Sequence, residues 1–292
     1  MSSNLPTVTI VTVCYNAQDS IRKTMESVLN QTYAAIEYLI IDGSSTDKTM
    51  DIVRSMQPAF LNKGILFHVI SERDRGIYDA MNKGIRQASG KWINFMNAGD
   101  CFFAPDVLAR TFENNPEETL LYGDVIYQKY FGDVLFKPRS IDSLRKKMAF
   151  CHQSVFMPAR ILKQYPFGLT YRIANDYKLF YDYYRRGGTF RYLGFPVAYF
   201  ESENGLSSVN SLLAHKENAQ ICDDYFRTSW QIRYCFKYMG YHTKEFLHRV
   251  LPKSIVEPVR AWNYRRKMRR SIVRQNLRNV NNKVYGHKIS PA

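Results

Sequence analysis

The chain has 292 residues, 45% of them hydrophobic, which suits one large domain or one domain with an appendage. No apolar run approaches the roughly 18 residues of a membrane-spanning helix, so none is predicted. The formal net charge of +15 is uneven, because twelve Lys and Arg residues and a single acid follow from Arg249 to the end. The body is nearly neutral and shows no recognised nucleic-acid motif, so nucleic acid is not an expected partner.

The first hundred residues alternate between apolar runs and helical patterns. Runs rich in β-branched residues predict strands in TVTIVTVCYN, IEYLIIDG, ILFHVISE and KWINFMNAGD. Apolar residues at helical spacing predict helices in SIRKTMESVLNQT, SSTDKTMDIVRSM and GIYDAMNKGIRQASG. Strands that alternate with helices of this length indicate βαβ units and an α/β fold, with helices covering the faces of a parallel sheet.

The pattern changes after residue 103. LLYGDVIYQKYFGDVLFKP predicts a strand and hairpin, CHQSVFMPA a short strand, ANDYKLFYDYYRRGG a helix, and FRYLGFPVAYF an extended segment. We therefore divide the chain into a regular half (1–103), a mixed half (104–210) and a helical, aromatic and then basic region (211–292). The five cysteines are scattered and form no CxxC pair, so we expect reduced thiols in a cytoplasmic protein.

Acidic residues follow three of the predicted strands, at Asp42, Asp74 and Asp100. In open α/β sheets, ligands bind beyond the carboxyl ends of the strands, so these acids are expected to converge on one crevice. Their repulsion is relieved by a divalent cation or by hydroxyl and imide donors, and a nucleoside diphosphate with a hard metal supplies both. There is no GxGxxG, and GIRQASGKW has five residues between its glycines where a P-loop has four.

Five motifs occur in order: VTIVTVCYNAQDSIRKTMESVLNQTYAAIEYLIIDGSSTDKT, SERDRGIYDAMNKGIRQASGKWINFMNAGD, YGD, CHQSVF and NDYKL. Together, over residues 6 to 220, the chain resembles the family-2 glycosyltransferases, and in particular the bacterial enzymes of capsule, exopolysaccharide and O-antigen assembly. The resemblance implies a GT-A, Rossmann-like fold with a mostly parallel sheet flanked by helices. Residues 1–103 would be the nucleotide-binding half and 104–210 the acceptor half.

The resemblance also implies a donor site for a nucleotide-sugar. The first strand would lie along the base, and Asp42 stands where the family's carboxylate reads a uracil imide, which favours a UDP-sugar. Asp74, with Arg73 beside it, would help to hold the nucleotide. The residues expected to bind the nucleotide are Thr12, Cys14, Tyr15, Asp42, Arg73 and Asp74.

The chemistry would be shared between two acids. NAGD occupies the place of the family's DxD motif, so Asp100 would bind Mn²⁺ or Mg²⁺, whereas Asn97 replaces the first acid. Asp176 stands where the family has its catalytic base, which takes a proton from the acceptor hydroxyl in a single, inverting displacement. The residues expected beside the donor sugar or the acceptor are Asn97, Asp124, His152 and Gln153.

Simpler interpretations remain for several of these residues. Asp42 can end a turn and cap a helix, and Asp176 can cap the helix that follows it. His152 can be a satisfied core histidine, and Asp124 has no decisive signal. At the level of the whole chain, the alternatives are a sugar-phosphate nucleotidyltransferase and a non-catalytic membrane- or nucleic-acid-binding protein on a GT-A scaffold.

The basic tail carries a Trp and several aliphatic residues among its arginines, in VRAWNYRRKMRRSIVRQNLRNV. A basic helix of this composition suits an anionic membrane surface, and a solvated helix is the plainer alternative. Membrane contact agrees with an acceptor saccharide carried on a polyprenyl diphosphate. The sequence therefore predicts a cytoplasmic enzyme, peripheral on the inner face of the cell membrane.

Overall fold

The computed structural model of the protein describes residues 5–128, 132–201 and 210–252. In this part of the chain the strands are β1 (Val8–Cys14), β2 (Ile36–Asp42), β3 (Leu66–Ser71), β4 (Trp92–Phe95), β5 (Cys101–Phe102), β6 (Leu120–Gln128), β7 (Val134–Phe136), β8 (Val155–Pro158) and β9 (Phe190–Glu201). The helices are α1 (Ile21–Leu29), α2 (Thr49–Asn62), α3 (Ile77–Gln87), α4 (Val107–Phe112), α5 (Ala159–Gln164), α6 (Asn175–Arg185), α7 (Ser211–Ile221) and α8 (Thr228–Val250). Short 3-10 turns cover Ile141–Arg145 and His152–Ser154.

All nine of these strands join one sheet, in the order β3-β2-β1-β4-β8-β6-β9-β5, with β7 paired to β6. β1 to β4 are parallel, as the alternation of strands and helices predicts. β8 runs against both of its neighbours, so β6 and β9 again point the same way as β1. The sheet is therefore mostly parallel, and the predicted α/β fold is confirmed.

Both faces of the sheet are covered, which explains the unbroken apolar runs of β1 and β2. Every residue of these two strands is buried. On one face, α1 packs Ile21, Met25 and Val28 into an apolar cluster, because this spacing puts the three side chains on one side of the helix. On the other face, α3, α5 and α6 pack into a second cluster.

The fourth strand ends earlier than the sequence predicts. β4 stops at Phe95, whereas the apolar run suggests a strand as far as Asp100. The N–H groups of Met96 and Ala98 still donate to carbonyl groups of β1, at 3.0 and 3.2 Å, so the chain stays beside β1 before it turns. Asp100 therefore lies on a turn beyond the strand end rather than on the strand itself.

The core continues past the boundary predicted at residue 210. Ile221 of α7 is buried in the same apolar cluster as Tyr177 of α6. None of the helices described in the structure is both long and apolar enough to cross a membrane. The predicted basic, amphipathic tail beyond residue 252 lies outside the described residues.

Candidate active site

The carboxyl ends of β1, β2 and β3 lie side by side, because Cys14 pairs with Asp42 and Asp42 with Ser71. The Asp42 carboxylate is fully buried. It accepts hydrogen bonds from the Ser45 N–H at 3.0 Å, the Ser45 hydroxyl at 2.5 Å and the Ser71 hydroxyl at 2.6 Å. Asp42 thus holds the loop after β2 in place. The predicted contact of Asp42 with a uracil imide stays a prediction.

Cys14 lies beside the Asp42 carboxylate, with its Sγ 3.7 Å from Oδ1. Burial, with a further contribution from the negative charge of Asp42, raises the pKa of the Cys14 thiol. The thiol is therefore neutral at physiological pH, and we expect it to shape the floor of the crevice rather than to react.

An exposed rim lies above these strand ends. The Tyr15 side chain is 64% exposed, and Asp74 is half-buried. A Cβ atom added to Gly43 would lie 2.6 Å from Asp74 Oδ2 and 3.4 Å from Tyr15 Cδ2, so only glycine lets these three residues approach so closely. Arg73 is exposed next to Asp74. These surfaces are accessible to a nucleotide.

Thr12, which the sequence predicts to lie along the nucleotide base, lies below this rim. It is fully buried, and its hydroxyl donates to the Met96 carbonyl at 2.8 Å and lies 3.0 Å from the Tyr38 hydroxyl. Its side chain points to the same face of the sheet as Cys14, two residues further on, but it is enclosed there by Tyr38 and by the chain after β4. Thr12 therefore joins β1 to the chain after β4, and its contact with a nucleotide stays a prediction.

Asp100 is held in a turn that requires a glycine before it. Gly99 has a φ of +105°, in the region that favours glycine. Asp100 is 4% exposed, and its carboxylate accepts hydrogen bonds from Gln153 Nε2 at 2.9 Å and from the Glu201 N–H at 3.1 Å. Burial raises the pKa of Asp100 to about 7. The structure thus brings together Asp100, Gln153 and the end of β9.

The oxygen atoms around this turn fit a divalent cation. Asn97 Oδ1 is buried and finds no hydrogen-bond donor among the described residues. A Cβ on Gly99 would lie 3.6 Å from Glu201 Oε2, so a second carboxylate is near. The described residues form no group of three or more His, Cys, Asp and Glu that could hold a metal by themselves. The donor set would therefore suit Mg²⁺ or Mn²⁺ only if phosphate oxygens and water supplied the remaining ligands.

Asp176 lies in the first turn of α6, and its surroundings differ from those of Asp100. Its Oδ1 accepts hydrogen bonds from the Tyr177 N–H at 2.8 Å and from the Tyr78 hydroxyl at 3.1 Å, while part of the side chain stays open. Burial raises the pKa of Asp176 to about 6. The carboxylate is therefore ionised at pH 7, yet it is a stronger base than an ordinary aspartate.

His152 and Gln153 are neighbours in one 3-10 turn but lie in different environments. The His152 ring is buried among aromatic rings, with centroids 5.5 Å from Phe95 and 6.0 Å from Phe167. Neither ring nitrogen has a partner among the described residues, and burial lowers the pKa of His152 to about 4. The imidazole is therefore neutral, as a core histidine would be, whereas Gln153 reaches Asp100.

Asp124 belongs to the sheet. It lies on β6, is buried, and accepts a hydrogen bond from the Tyr192 hydroxyl of β9 at 2.5 Å. Burial raises the pKa of Asp124. The structure thus pairs Asp124 with Tyr192 and not with the Asp100 turn, and its expected place beside the donor sugar stays a prediction.

Two residues near Asp176, Tyr78 and Glu217, were not predicted as site residues from the sequence. Tyr78 occupies an apolar position of α3, and its hydroxyl donates to the Ile173 carbonyl at 2.5 Å. Glu217 of α7 is 6% exposed and accepts backbone N–H groups from the segment that leads into α6. α7 has weak apolar periodicity, so nothing in its pattern distinguishes Glu217 from a solvated acid.

The sequence of this chain is similar to a family model and to curated glycosyltransferases. The model of the family described as Glycosyl transferase family 2 matches residues 9–182. A "PGL/p-HBAD biosynthesis glycosyltransferase" of Mycobacterium bovis (BCG) is 30% identical over 212 residues, which cover 70% of this chain and 80% of that protein. "Glycosyltransferase AglE" of Haloferax volcanii is 38% identical over 103 residues, covering 35% of this chain and 33% of that protein.

Solved structures share the fold at low sequence identity. TarS 1–349 of S. aureus, in complex with UDP-GlcNAc, aligns with a TM-score of 0.58 and 16% identity over 75% of this chain and 71% of that one. The mannosyltransferase PcManGT of Pyrobaculum calidifontis, in complex with GDP-Man and Mn²⁺, aligns with a TM-score of 0.60 and 16% identity over 90% and 81%. The family model covers more than half of the chain. The two solved structures share the curled, mostly parallel sheet of this chain. The chain therefore belongs to glycosyl transferase family 2 and is a glycosyltransferase with a GT-A-like α/β fold.

Proposed function

We propose that the chain is an inverting, metal-assisted glycosyltransferase that moves one sugar from a nucleotide-sugar to a lipid-linked saccharide in bacterial surface polysaccharide synthesis. The observation that carries the proposal is the pair of carboxylates in separate surroundings. Asp100 is buried among oxygen atoms that fit a cation, and Asp176 is partly open with a pKa near 6. Two carboxylates in different environments can take different roles, here cation binding at the leaving group by Asp100 and base catalysis by Asp176.

The proposed transfer is a single displacement. Asp176 takes the proton from an acceptor hydroxyl as that oxygen attacks the anomeric carbon, and the bond from this carbon to the diphosphate oxygen breaks with its electron pair going to the diphosphate. Attack opposite the leaving group inverts the anomeric configuration. Asp100, with Asn97 beside it, would hold the divalent cation, which supplies positive charge to the departing diphosphate.

We propose UDP as the nucleotide of the donor. Tyr15 and Asp74 offer the exposed rim on which a base and ribose can lie. TarS, whose fold this chain shares, forms a complex with UDP-GlcNAc. GDP is the second candidate, because PcManGT forms a complex with GDP-Man.

The acceptor and the reaction type are tested together. The purified chain is incubated with Mn²⁺, UDP-sugars and short saccharides on polyprenyl diphosphate, and the product linkage is determined by NMR. We expect one added sugar with inverted anomeric configuration. A retained configuration, or release of free sugar without transfer to any acceptor, would contradict the proposal.

The long helix α8 supports peripheral membrane attachment, which we include in the proposal. Trp230 anchors the start of α8 by stacking on His215 of α7, with ring centroids 5.6 Å apart. Farther along, large apolar side chains spaced three, four or seven residues apart form a stripe, and exposed basic side chains, including Arg233 and Lys237, lie beside it. A helix of this kind suits an anionic lipid surface. The stripe consists of Ile232, Phe236, Met239, Phe246 and Val250, each more than half exposed.

Replacing stripe residues by acids is expected to release the protein from lipid. Phe236→Glu with Met239→Glu should weaken binding to vesicles of phosphatidylcholine and phosphatidylglycerol by about tenfold or more, because burying such a side chain is worth about 1.5–3 kcal/mol. Co-sedimentation measures the binding. Gln231→Glu with Tyr241→Glu adds the same charge away from the stripe, at 100° per residue, and should weaken binding much less. Equal losses in both double variants would contradict insertion of the stripe.

A further inference from the structure

Glu217 lies on α7, beyond the segment that the family model matches, yet its side chain reaches the backbone that leads into α6. The carboxylate is 6% exposed. It accepts hydrogen bonds from three consecutive N–H groups, those of Arg172 at 2.9 Å, Ile173 at 2.9 Å and Ala174 at 3.0 Å. These residues lead directly into α6, whose N-cap is Ala174, and the N–H group of an N-cap residue has no partner within the helix.

The same backbone segment sets the surroundings of Asp176. The carbonyl of Ile173 accepts the Tyr78 hydroxyl at 2.5 Å, and the same hydroxyl lies 3.1 Å from Asp176 Oδ1. A shift of residues 172–174 would therefore move Asp176 and its hydrogen-bond donor together. A buried carboxylate with three N–H partners is a rigid attachment, because leaving those donors unpaired costs about 1–3 kcal/mol for each one.

We propose that Glu217 is a positioning residue for sugar transfer, which fixes the backbone of residues 172–174 and so aims Asp176 at the acceptor hydroxyl. This inference rests on the proposed role of Asp176 as the base. It makes α7 part of the catalytic unit, although α7 follows the segment that the sequence assigns to the catalytic domain.

A change in the pH profile separates this role from simple support of the fold. The titratable groups that face Asp176 are the Tyr78 hydroxyl from α3, the Cys151 thiol next to the 3-10 turn, and the Glu217 carboxylate from α7. Burial is the largest cause of the raised pKa of Asp176, and the negative charge of Glu217 raises it further. Neutralising Glu217 should therefore move the acid limb of the kcat profile to lower pH.

The chain offers a matched control in Glu37, at the amino end of β2. Glu37 is 2% exposed and accepts hydrogen bonds from the Ser89 N–H and hydroxyl, both at 2.8 Å, and from the Gly90 N–H at 3.3 Å. It is thus another buried carboxylate that holds a loop, at the end of the sheet opposite Asp42. Glu37→Gln should lower the melting temperature without moving the pH profile.

The experiment compares Glu217→Gln, Glu217→Asp and Glu37→Gln by kcat, by KM for the donor, by pH profile and by melting temperature. For Glu217→Gln we expect kcat to fall at least tenfold, KM for the donor to stay within twofold, and the acid limb to move to lower pH. Glu217→Asp keeps the charge, so it should keep the wild-type midpoint while kcat falls. Amide hydrogen exchange at residues 172–174 should become faster in Glu217→Gln.

The inference is overturned if Glu217→Gln keeps kcat within twofold of wild type, if its acid limb does not move, or if Glu37→Gln reproduces all of its effects. If Glu217→Gln fails to fold, Glu217→Asp provides the test instead. An unchanged kcat in Glu217→Asp would equally overturn the inference. Wild-type protein that transfers no sugar would refute the proposed function instead. Wild type and Glu217→Gln that transfer equally well would refute only the positioning role.

Discussion

Asp176→Asn is expected to lower the rate of sugar transfer by about 10²- to 10⁴-fold, the usual contribution of a positioned general base. The amide can still accept hydrogen bonds from the Tyr177 N–H and the Tyr78 hydroxyl, so the local geometry should survive. It cannot take a proton from the acceptor at neutral pH. Binding of the nucleotide should therefore stay within twofold of wild type, as calorimetry can check.

The pH dependence of the wild-type enzyme should report the same carboxylate. Because the base acts in its ionised form and its pKa is about 6, kcat should rise with pH through about 6 and level off above 7. Asp176→Asn should leave a residual rate without this limb. A variant that keeps more than a tenth of the wild-type rate, with an unchanged limb, would show that another group is the base.

Asp176 should also lower the stability of the folded protein at neutral pH. A carboxyl group whose pKa is raised from 3.8 to about 6 on folding favours the folded state at low pH, and this contribution disappears as the pH rises through about 6. Asp176→Asn removes the cost of the buried charge, so it should raise the free energy of unfolding by about 3 kcal/mol at pH 8 and by much less at pH 4. Thermal melts at the two pH values measure the difference.

Asp100→Asn should abolish the response of the enzyme to metal. Removing the carboxylate charge from the turn is expected to lower kcat by roughly 10³-fold, about 4 kcal/mol, because metal stabilisation of a departing diphosphate is worth several kcal/mol. Nucleotide affinity should also lose its dependence on Mn²⁺. The measurement is calorimetric titration of the nucleotide with and without Mn²⁺, together with the transfer rate.

The control for this variant is Asp51→Asn on α2, an exposed carboxylate that pairs with Arg54. It removes the same charge from an exposed helix surface and should change neither the rate nor the binding. If Asp100→Asn kept full Mn²⁺-dependent binding, the cation would have to be held elsewhere, and the assignment of Asp100 as its ligand would be wrong.

Local patterns were enough to predict the first half of the fold. β1 and β2 are buried on both faces and therefore appear as unbroken apolar runs, and α1 places its apolar residues at helical spacing. The end of β4 was predicted wrongly, because Met96 continues the apolar run although the chain is already leaving the strand. Apolar character alone does not distinguish a strand from an irregular segment that remains buried beside it.

The sequence was enough to predict that three candidate acids lie at strand ends, but not which groups they contact. Asp42 ends β2, and Asp74 and Asp100 follow β3 and β4, but the Asp42 carboxylate is enclosed by hydroxyl and N–H donors that strand patterns do not reveal. The Gln153 contact with Asp100 joins residues 53 positions apart. Such contacts depend on the strand order of the sheet, which no local pattern determines.

Glu217 shows the limit of the sequence most clearly. A buried acid and an exposed acid look alike in a helix with little apolar periodicity, and the distinction appears only when α7 packs against α6. Thr12 also shows this limit, because its place in β1 suggested contact with the base whereas its side chain is enclosed by Tyr38 and the Met96 carbonyl. Whether a side chain near the end of a buried strand stays open to a ligand depends on which residues of the neighbouring strands lie beside it.

We propose that a nucleoside diphosphate binds at the ends of β1 to β4 with a cation at Asp100. The most direct test is calorimetric titration of wild type and Asp100→Asn with UDP, GDP and dTDP, each with and without Mn²⁺. We predict UDP binding to wild type that depends on Mn²⁺ and is lost or made metal-independent in Asp100→Asn. If no nucleotide bound to wild type under any of these conditions, the account of this site would be contradicted.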